Sequence, residues 1–218
     1  MMFQKDGCGA DRLIQKVTWI FFDVGTTLVD ETEAYAHRIR DAIEGTDISF
    51  EQFNEKRIYF AKQNLKGDLE AIKYFGLVKT PWHKEDEIPY SDAEEILKYL
   101  CNRGYKIGII ANQSLGTAQR LEKWGLLKYI DVVAASAELG VAKPDREIFD
   151  RALEMAGCTA QEAVMIGDRL DNDISPAKRL GMQTIWIQQG FAIYQNPQLA
   201  DCQPDYIVDN LSELKEIF

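Results

Sequence analysis

Histidine is scarce in this 218-residue chain: only His37 and His83 are present, too few for a histidine-rich metal site and a poor supply for a serine–histidine–aspartate machine. Cysteine is equally thin. Cys8, Cys101, Cys158 and Cys202 lie far apart with no CxxC pair, which leaves a zinc cage or a redox dithiol unsupported and points to free thiols. No apolar run is long enough to cross a bilayer, and the opening Met1-Met2-Phe3-Gln4-Lys5-Asp6-Gly7 lacks the apolar centre of a signal peptide, so the expected location is cytoplasmic. Basic residues are outnumbered 25 to 35 by acidic ones, for a net charge of −10. Such a balance argues against a general nucleic-acid or anionic-membrane surface, so neither partner is expected. Internal repeats and low-complexity tracts are missing as well.

What is present suits a folded chain. Hydrophobic residues make up 46% of it, enough for a real core, and the length fits one domain or one domain with a small insert. Residues 1–16 read as an irregular polar lead-in. The apolar run Val17-Thr18-Trp19-Ile20-Phe21-Phe22 predicts a strand over 17–23, ending on Asp23. A wholly helical stretch follows. Tyr35, Ile39, Ala42 and Ile43 share one helical face, and the capping box Ser49-Phe50-Glu51-Gln52 opens a second helix that carries Ile58, Ala61 and Leu65 inward. A shorter pattern runs from Leu69 to Phe75, and Lys79 to Pro89 is a charged, proline-bracketed connection.

Beyond that connection β and α patterns alternate. Another capping box, Ser91-Asp92-Ala93-Glu94, starts a helix that stops at Gly104. Strands are expected at 105–111, 131–135, 163–167, 183–188 and 206–208. Helices are expected up to Gly125, from Pro144 as first helical residue to Gly157, up to Leu180-Gly181, and over 211–217. Repeated βα units imply an α/β fold with a mostly parallel sheet covered on both faces, interrupted after its first strand by the helical segment 31–89.

Polar residues gather where the apolar runs end. Asp23 closes the first; Asn112 and Ser114 follow Ile107-Gly108-Ile109-Ile110-Ala111; Asp168 and Asp173 follow Val164-Met165-Ile166-Gly167; Lys143-Pro144 opens a helical pattern. Ligands of open α/β sheets bind at the carboxyl ends of the strands, so these residues can share one crevice. Three carboxylates repel a dianionic phosphoryl group unless a cation intervenes, and an all-oxygen donor set favours Mg2+ over Zn2+. Lys143 adds a fixed positive charge, the Asn112 amide can donate to a phosphate oxygen, and the small residues Gly25 and Thr26 allow backbone N–H groups to approach it.

These motifs, in this order, resemble the haloacid dehalogenase superfamily of hydrolases, in the branch with an α-helical cap after the first strand. Asp23-Val24-Gly25-Thr26-Thr27 resembles the family's first motif, Asp-x-Asp-x-Thr; Ile109-Ile110-Ala111-Asn112 its second; Lys143 its third; and Gly167-Asp168-Arg169-Leu170-Asp171-Asn172-Asp173 its fourth, Gly-Asp-x-x-x-x-Asp. The resemblance implies a Rossmann-like core of residues 17–30 and 90–218 with a cap of residues 31–89. It also implies a small phosphorylated substrate, Asp23 as the nucleophile that becomes an aspartyl-phosphate, and Mg2+ held by Asp23, Asp168, Asp173 and the Gly25 carbonyl. Lys143 becomes catalytic and substrate-binding, with Thr26 and Asn112 beside it.

Two departures stand out. The family's second aspartate, which protonates the leaving group and later activates water, is Gly25 here, and the hydroxyl of its second motif is Ala111, with Ser114 and Thr117 the nearest substitutes. Asp30 and Glu31 read as acids at a helix N-terminus rather than as replacements. Alternatives are a phosphonatase using a cap lysine (Lys56, Lys62, Lys66 or Lys73) and a low-turnover phosphate-ligand binder. Intact Asp168 and Asp173 argue against metal-free dehalogenation. Phe50, Phe53, Tyr59, Phe60, Tyr74 and Phe75 read as helix packing rather than a substrate cage, and Trp82-His83, near the hinge, as a surface turn with a lid contact as the alternative.

Overall fold

A computed structural model describes Ile14 and residues 16–218, so the polar lead-in, Cys8 included, lies almost wholly outside the described residues. In chain order the strands are β1 (Trp19–Phe22), β2 (Val29–Asp30), β3 (Ile88–Pro89), β4 (Lys106–Ala111), β5 (Val132–Ala135), β6 (Ala163–Gly167), β7 (Gln183–Ile187) and β8 (Tyr206–Val208). Six of them form one sheet in the order β5-β4-β1-β6-β7-β8, each neighbouring pair parallel. This is the expected α/β, Rossmann-like arrangement. The first strand lies in the middle, flanked by β4 and β6, and the register sets Phe22 beside Ile109 and Ile166. The carboxyl ends of these three strands therefore share one edge of the sheet.

The helices are α1 (Thr32–Ile43), α2 (Phe50–Ala61), α3 (Gly67–Tyr74), α4 (Ala93–Asn102), α5 (Thr117–Lys123), α6 (Ser136–Leu139), α7 (Arg146–Ala156) and α8 (Ser175–Leu180). Alternation along the strands divides the core in two. Ile20, Phe22, Ile107, Ile109, Val164 and Ile166 face α4 and the C-terminal turn, while Trp19, Phe21, Ile110 and Met165 face α7 and α8. With both faces covered, every residue of β1 is buried.

Three local expectations are revised. The Ser91 capping box does not form: Asp92 is the N-cap of α4, and its carboxylate accepts instead from the Ser212 N–H and hydroxyl, both at 3.0 Å. Pro144 is not the first residue of α7. Asp145 caps that helix by accepting from the Glu147 N–H at 2.9 Å, which leaves Lys143 and Pro144 in the preceding loop. The final element, Leu211–Glu216, is a 3₁₀ helix.

Between β2 and β3, helices α1–α3 hold an apolar cluster of their own, Ile39, Phe53, Ala71 and Ile72, and the Ser49–Gln52 capping box forms as expected. Leu65, expected inward, is exposed because α2 ends at Ala61. A buried ion pair, Arg38 to Asp68 at 2.9 Å, ties α1 to α3. The helical segment docks on the sheet-bearing part through Asn64, which exchanges two hydrogen bonds with the Asn196 backbone at 2.8 and 2.7 Å. Among the described residues no helix is long and apolar enough to cross a membrane.

Candidate active site

Asp23 stands one residue beyond β1, its N–H bonded to the Ile166 carbonyl at 2.9 Å. Asp168 follows β6 directly. Asp173 reaches the same place by a tighter route: a single π turn, Leu170–Ile174, folds it back until its carboxylate lies against Gly167 and accepts from the Arg169 N–H at 2.9 Å. Carboxylate oxygens of Asp23, Asp168 and Asp173 all lie within 4.8 Å of one another. A Cβ on Gly167 would sit 2.5 Å from the Asp173 carboxylate, so only glycine permits this return. Gly167→Ala is expected to push Asp173 outward and weaken divalent-cation binding by about 5- to 150-fold, if the ~1–3 kcal/mol that overpacking costs falls on the site. Calorimetric titration of the variant with Mg2+ checks this; unchanged affinity would show that Asp173 does not bear on the ion.

Lys143 arrives from the loop before α7. Its side chain is wholly buried, and Nζ donates to Asp23 Oδ1 at 2.7 Å, to Asp173 Oδ1 at 2.6 Å and to the Ile110 carbonyl at 2.7 Å. Burial alone disfavours the ammonium, but Asp173 and Asp23 outweigh it and hold the Lys143 pKa above the ordinary lysine value. The carboxylates have less relief. Burial, then the charges of Asp173 and Asp23, push Asp168 well up, and no protein donor reaches its carboxylate among the described residues. Burial raises Asp173 to about 6 in spite of Lys143. One ammonium does not balance three converging carboxylates. Their all-oxygen donor set fits a hard divalent cation, Mg2+ before Zn2+.

The other expected residues are present with altered tasks. Asn112 holds Lys143 in place: its Nδ2 donates to the Lys143 carbonyl at 2.8 Å and its Oδ1 accepts the Lys143 N–H at 2.7 Å. Thr26 is not free to cradle a phosphate, since its N–H bonds the Val29 carbonyl at 2.7 Å and its hydroxyl donates to Glu31 Oε2 at 3.2 Å. Thr117 is buried, its hydroxyl bonded to the Ser114 carbonyl at 3.1 Å. Asp171 forks onto Arg169 at 3.0 and 2.5 Å, away from metal duty.

A cavity of about 650 Å³ opens over these strand ends, walled on the far side by Tyr35, Arg38, Lys66, Lys79, Trp82 and Lys84 of the helical segment and its return connection. Trp82 is thus part of the site and not a surface turn; its Nε1 donates to Glu87 at 2.6 Å and its ring lies 4.4 Å from the Arg38 guanidinium carbon. Of the four cap lysines considered for a Schiff base, Lys66 alone lines this cavity.

Glu31 stands at the N-cap position of α1, at the helix N-terminus where the sequence put it, but its carboxylate does not serve the helix. Asp30 does serve α1, its carboxylate accepting the Thr32 N–H at 2.8 Å, but Glu31 makes no capping bond and turns back toward Gly25. Burial, then the charges of Asp23 and Glu87, raise it to about 8. The available signal was a glycine and an acid six residues apart, with nothing local to show that they meet.

Residues 20–187 match the family described as haloacid dehalogenase-like hydrolase. The chain is similar to the glyceraldehyde 3-phosphate phosphatase of Methanocaldococcus jannaschii, 30% identical over 91% of this chain and 95% of that protein. It is also similar to the protein of the same name from Methanopyrus kandleri, 35% identical over 59% of this chain and 56% of that one. Its fold is similar to that of the HAD-hydrolase YfnB from Bacillus subtilis, a structure bound to magnesium, with a TM-score of 0.64 and 21% identity over 92% of this chain and 98% of that one.

Proposed function

Because the chain belongs to the haloacid dehalogenase-like hydrolase family, we propose that it is a Mg2+-dependent phosphatase acting on a small phosphorylated metabolite through an aspartyl-phosphate on Asp23. The observation that carries this reading is the convergence of Asp23, Asp168 and Asp173 around the buried Lys143 ammonium. Asp23, Asp168 and Asp173, with the Gly25 carbonyl, would hold Mg2+. When bound, the ion neutralises the carboxylates and stabilises charge on the transferring phosphoryl group. The magnesium-bound relative and the phosphatases among the similar proteins support the same assignment.

Lys143 bonds Oδ1 of Asp23, which orients the carboxylate and leaves Oδ2 without a protein donor for in-line attack on phosphorus. As the bond from Oδ2 to phosphorus forms, the ester P–O bond breaks and the leaving oxygen takes a proton. Water then attacks the same phosphorus, the Asp23–phosphorus bond breaks, and inorganic phosphate and the free carboxylate are regenerated. The Lys143 ammonium faces the charge that develops on the way. Residues 31–89 act as a cap over a core of residues 17–30 and 90–218. Arg38, Lys66, Lys79 and Lys84 give the cap side of the cavity a basic wall suited to an anionic substrate, within a protein of net charge −10.

The test is phosphate release from a broad panel of phosphorylated metabolites, in Mg2+ and in chelator. Release confined to Mg2+ is expected. Release that persists in chelator would overturn the metal-dependent reading, and release from no ester would overturn the phosphatase reading itself.

A further inference from the structure

Ester hydrolysis through Asp23 moves a proton twice: the leaving oxygen must gain one, and the attacking water must lose one. Most acids around the cavity are already engaged. Asp23 and Asp173 hold Lys143, Asp168 faces both, Asp171 is forked onto Arg169, and Glu87 accepts from Trp82. Both histidines lie outside the cavity lining, His83 bonded to Asp41 at 2.7 Å and His37 to Asp86 at 2.8 Å.

Glu31 remains. It lines the cavity, and its carboxyl is anchored by the Thr26 hydroxyl and occupies the space directly over Gly25. A Cβ built on Gly25 would lie 2.4 Å from Oε1, 2.7 Å from Cδ and 2.8 Å from Oε2 of Glu31. A side chain at position 25 and the Glu31 carboxyl therefore exclude each other. The glycine vacates the position beside the nucleophile, and an acid from the start of α1 fills it.

We propose that Glu31 is the catalytic acid–base residue of this site. Its carboxyl gives a proton to the leaving oxygen as the P–O bond breaks, and the resulting carboxylate takes a proton from the water that attacks the Asp23-bound phosphorus. The proton given in the first step returns in the second, so the cycle closes with one water consumed and one phosphate released. The inference rests on the phosphate-ester reading above, and the experiment separates the two.

Wild type, Glu31→Gln, Glu31→Ala and the double variant Gly25→Asp/Glu31→Ala are assayed in Mg2+ on an alkyl phosphate and on p-nitrophenyl phosphate, whose leaving group needs no proton. Gln keeps the shape and the Thr26 bond, so folding, checked by circular dichroism, is retained. Glu31→Gln is expected to lose about 10²–10⁴ in turnover on the alkyl ester. On the aryl ester it is expected to release one equivalent of nitrophenol per site in a burst and then turn over slowly, because the water lacks its base. The double variant is expected to regain at least about tenfold over Glu31→Ala, since the carboxyl returns from a different residue. Glu31→Gln within about threefold of wild type on both esters, or an equal loss on both without a burst, would overturn the assignment. An inactive wild type would instead overturn the phosphate-ester reading, and this proposal with it.

Discussion

Asp23→Asn is expected to lower phosphate release by at least about 10⁴-fold, the scale on which removal of a covalent nucleophile acts in other hydrolases, while the protein stays folded. The amide is nearly isosteric and its oxygen can still accept from Lys143, so the architecture loses little. The electrostatic change runs the other way. Asp168 and Asp173 are both raised above their ordinary values in part by the charge of Asp23. A carboxylate whose folded pKa lies above its unfolded one is destabilising at pH values where it is ionised, because stability falls as pH rises from the unfolded value to the folded one. Removing one of the three charges relieves the other two. Calorimetry in chelator should therefore find the Asp23→Asn melting temperature equal to or above that of wild type, and the stabilisation contributed by Mg2+ reduced. Turnover retained within tenfold would remove Asp23 as the nucleophile. A large drop in melting temperature would show that its charge is needed structurally.

Lys143→Met has the opposite signature, a heavy loss of both stability and rate. The Nζ of Lys143 has no exposure and makes three bonds, two of them to carboxylates. Taking one partner out of a buried charge network costs about 3–5 kcal/mol, because the remaining charges are left unpaired. A divalent cation can restore part of that, about 2.7 kcal/mol at one hundred times its dissociation constant, so the deficit should be larger in chelator than in saturating Mg2+. Rate should fall by about 10²–10³ even when the ion is bound, since the fixed cation facing the transferring group is gone. Urea unfolding with and without Mg2+, paired with turnover, checks both parts. A stability loss under about 1 kcal/mol in chelator would mean that the cluster is neutralised by some other means.

Much of this site could be read from sequence because each piece has a local reason. A charged residue ending an apolar run marks the tip of a buried strand, and the parallel order of such strands brings Asp23, Asn112 and Asp168 to one edge without further information. What could not be read depends on how the chain bends between elements. Asn112 looked like a phosphate donor and proved to be a brace for Lys143, because the Lys143 loop passes within its reach. Glu31 looked like a helix acid, and its return to Gly25 depends on a turn in which Thr26 takes a φ of 58°, a conformation that no residue pattern in Gly25-Thr26-Thr27 announces. Trp82 fell in an aperiodic connection, and only the fold shows that this connection walls the cavity. The local Ser91 capping box lost to a bond between Asp92 and Ser212, 120 residues apart.

The central place of the first strand bears on how the chain is made. As residues emerge in order, β1 is complete at Phe22, yet one neighbour, β4, ends at Ala111 and the other, β6, at Gly167. For most of synthesis this wholly apolar strand has at least one edge unpaired, the condition in which nascent chains associate with one another. The chain closes that run with Asp23, a charge at the strand's tip that opposes stacking with a second copy. On the reading proposed above, the nucleophile of the finished protein is thus also a gatekeeper for the unfinished one.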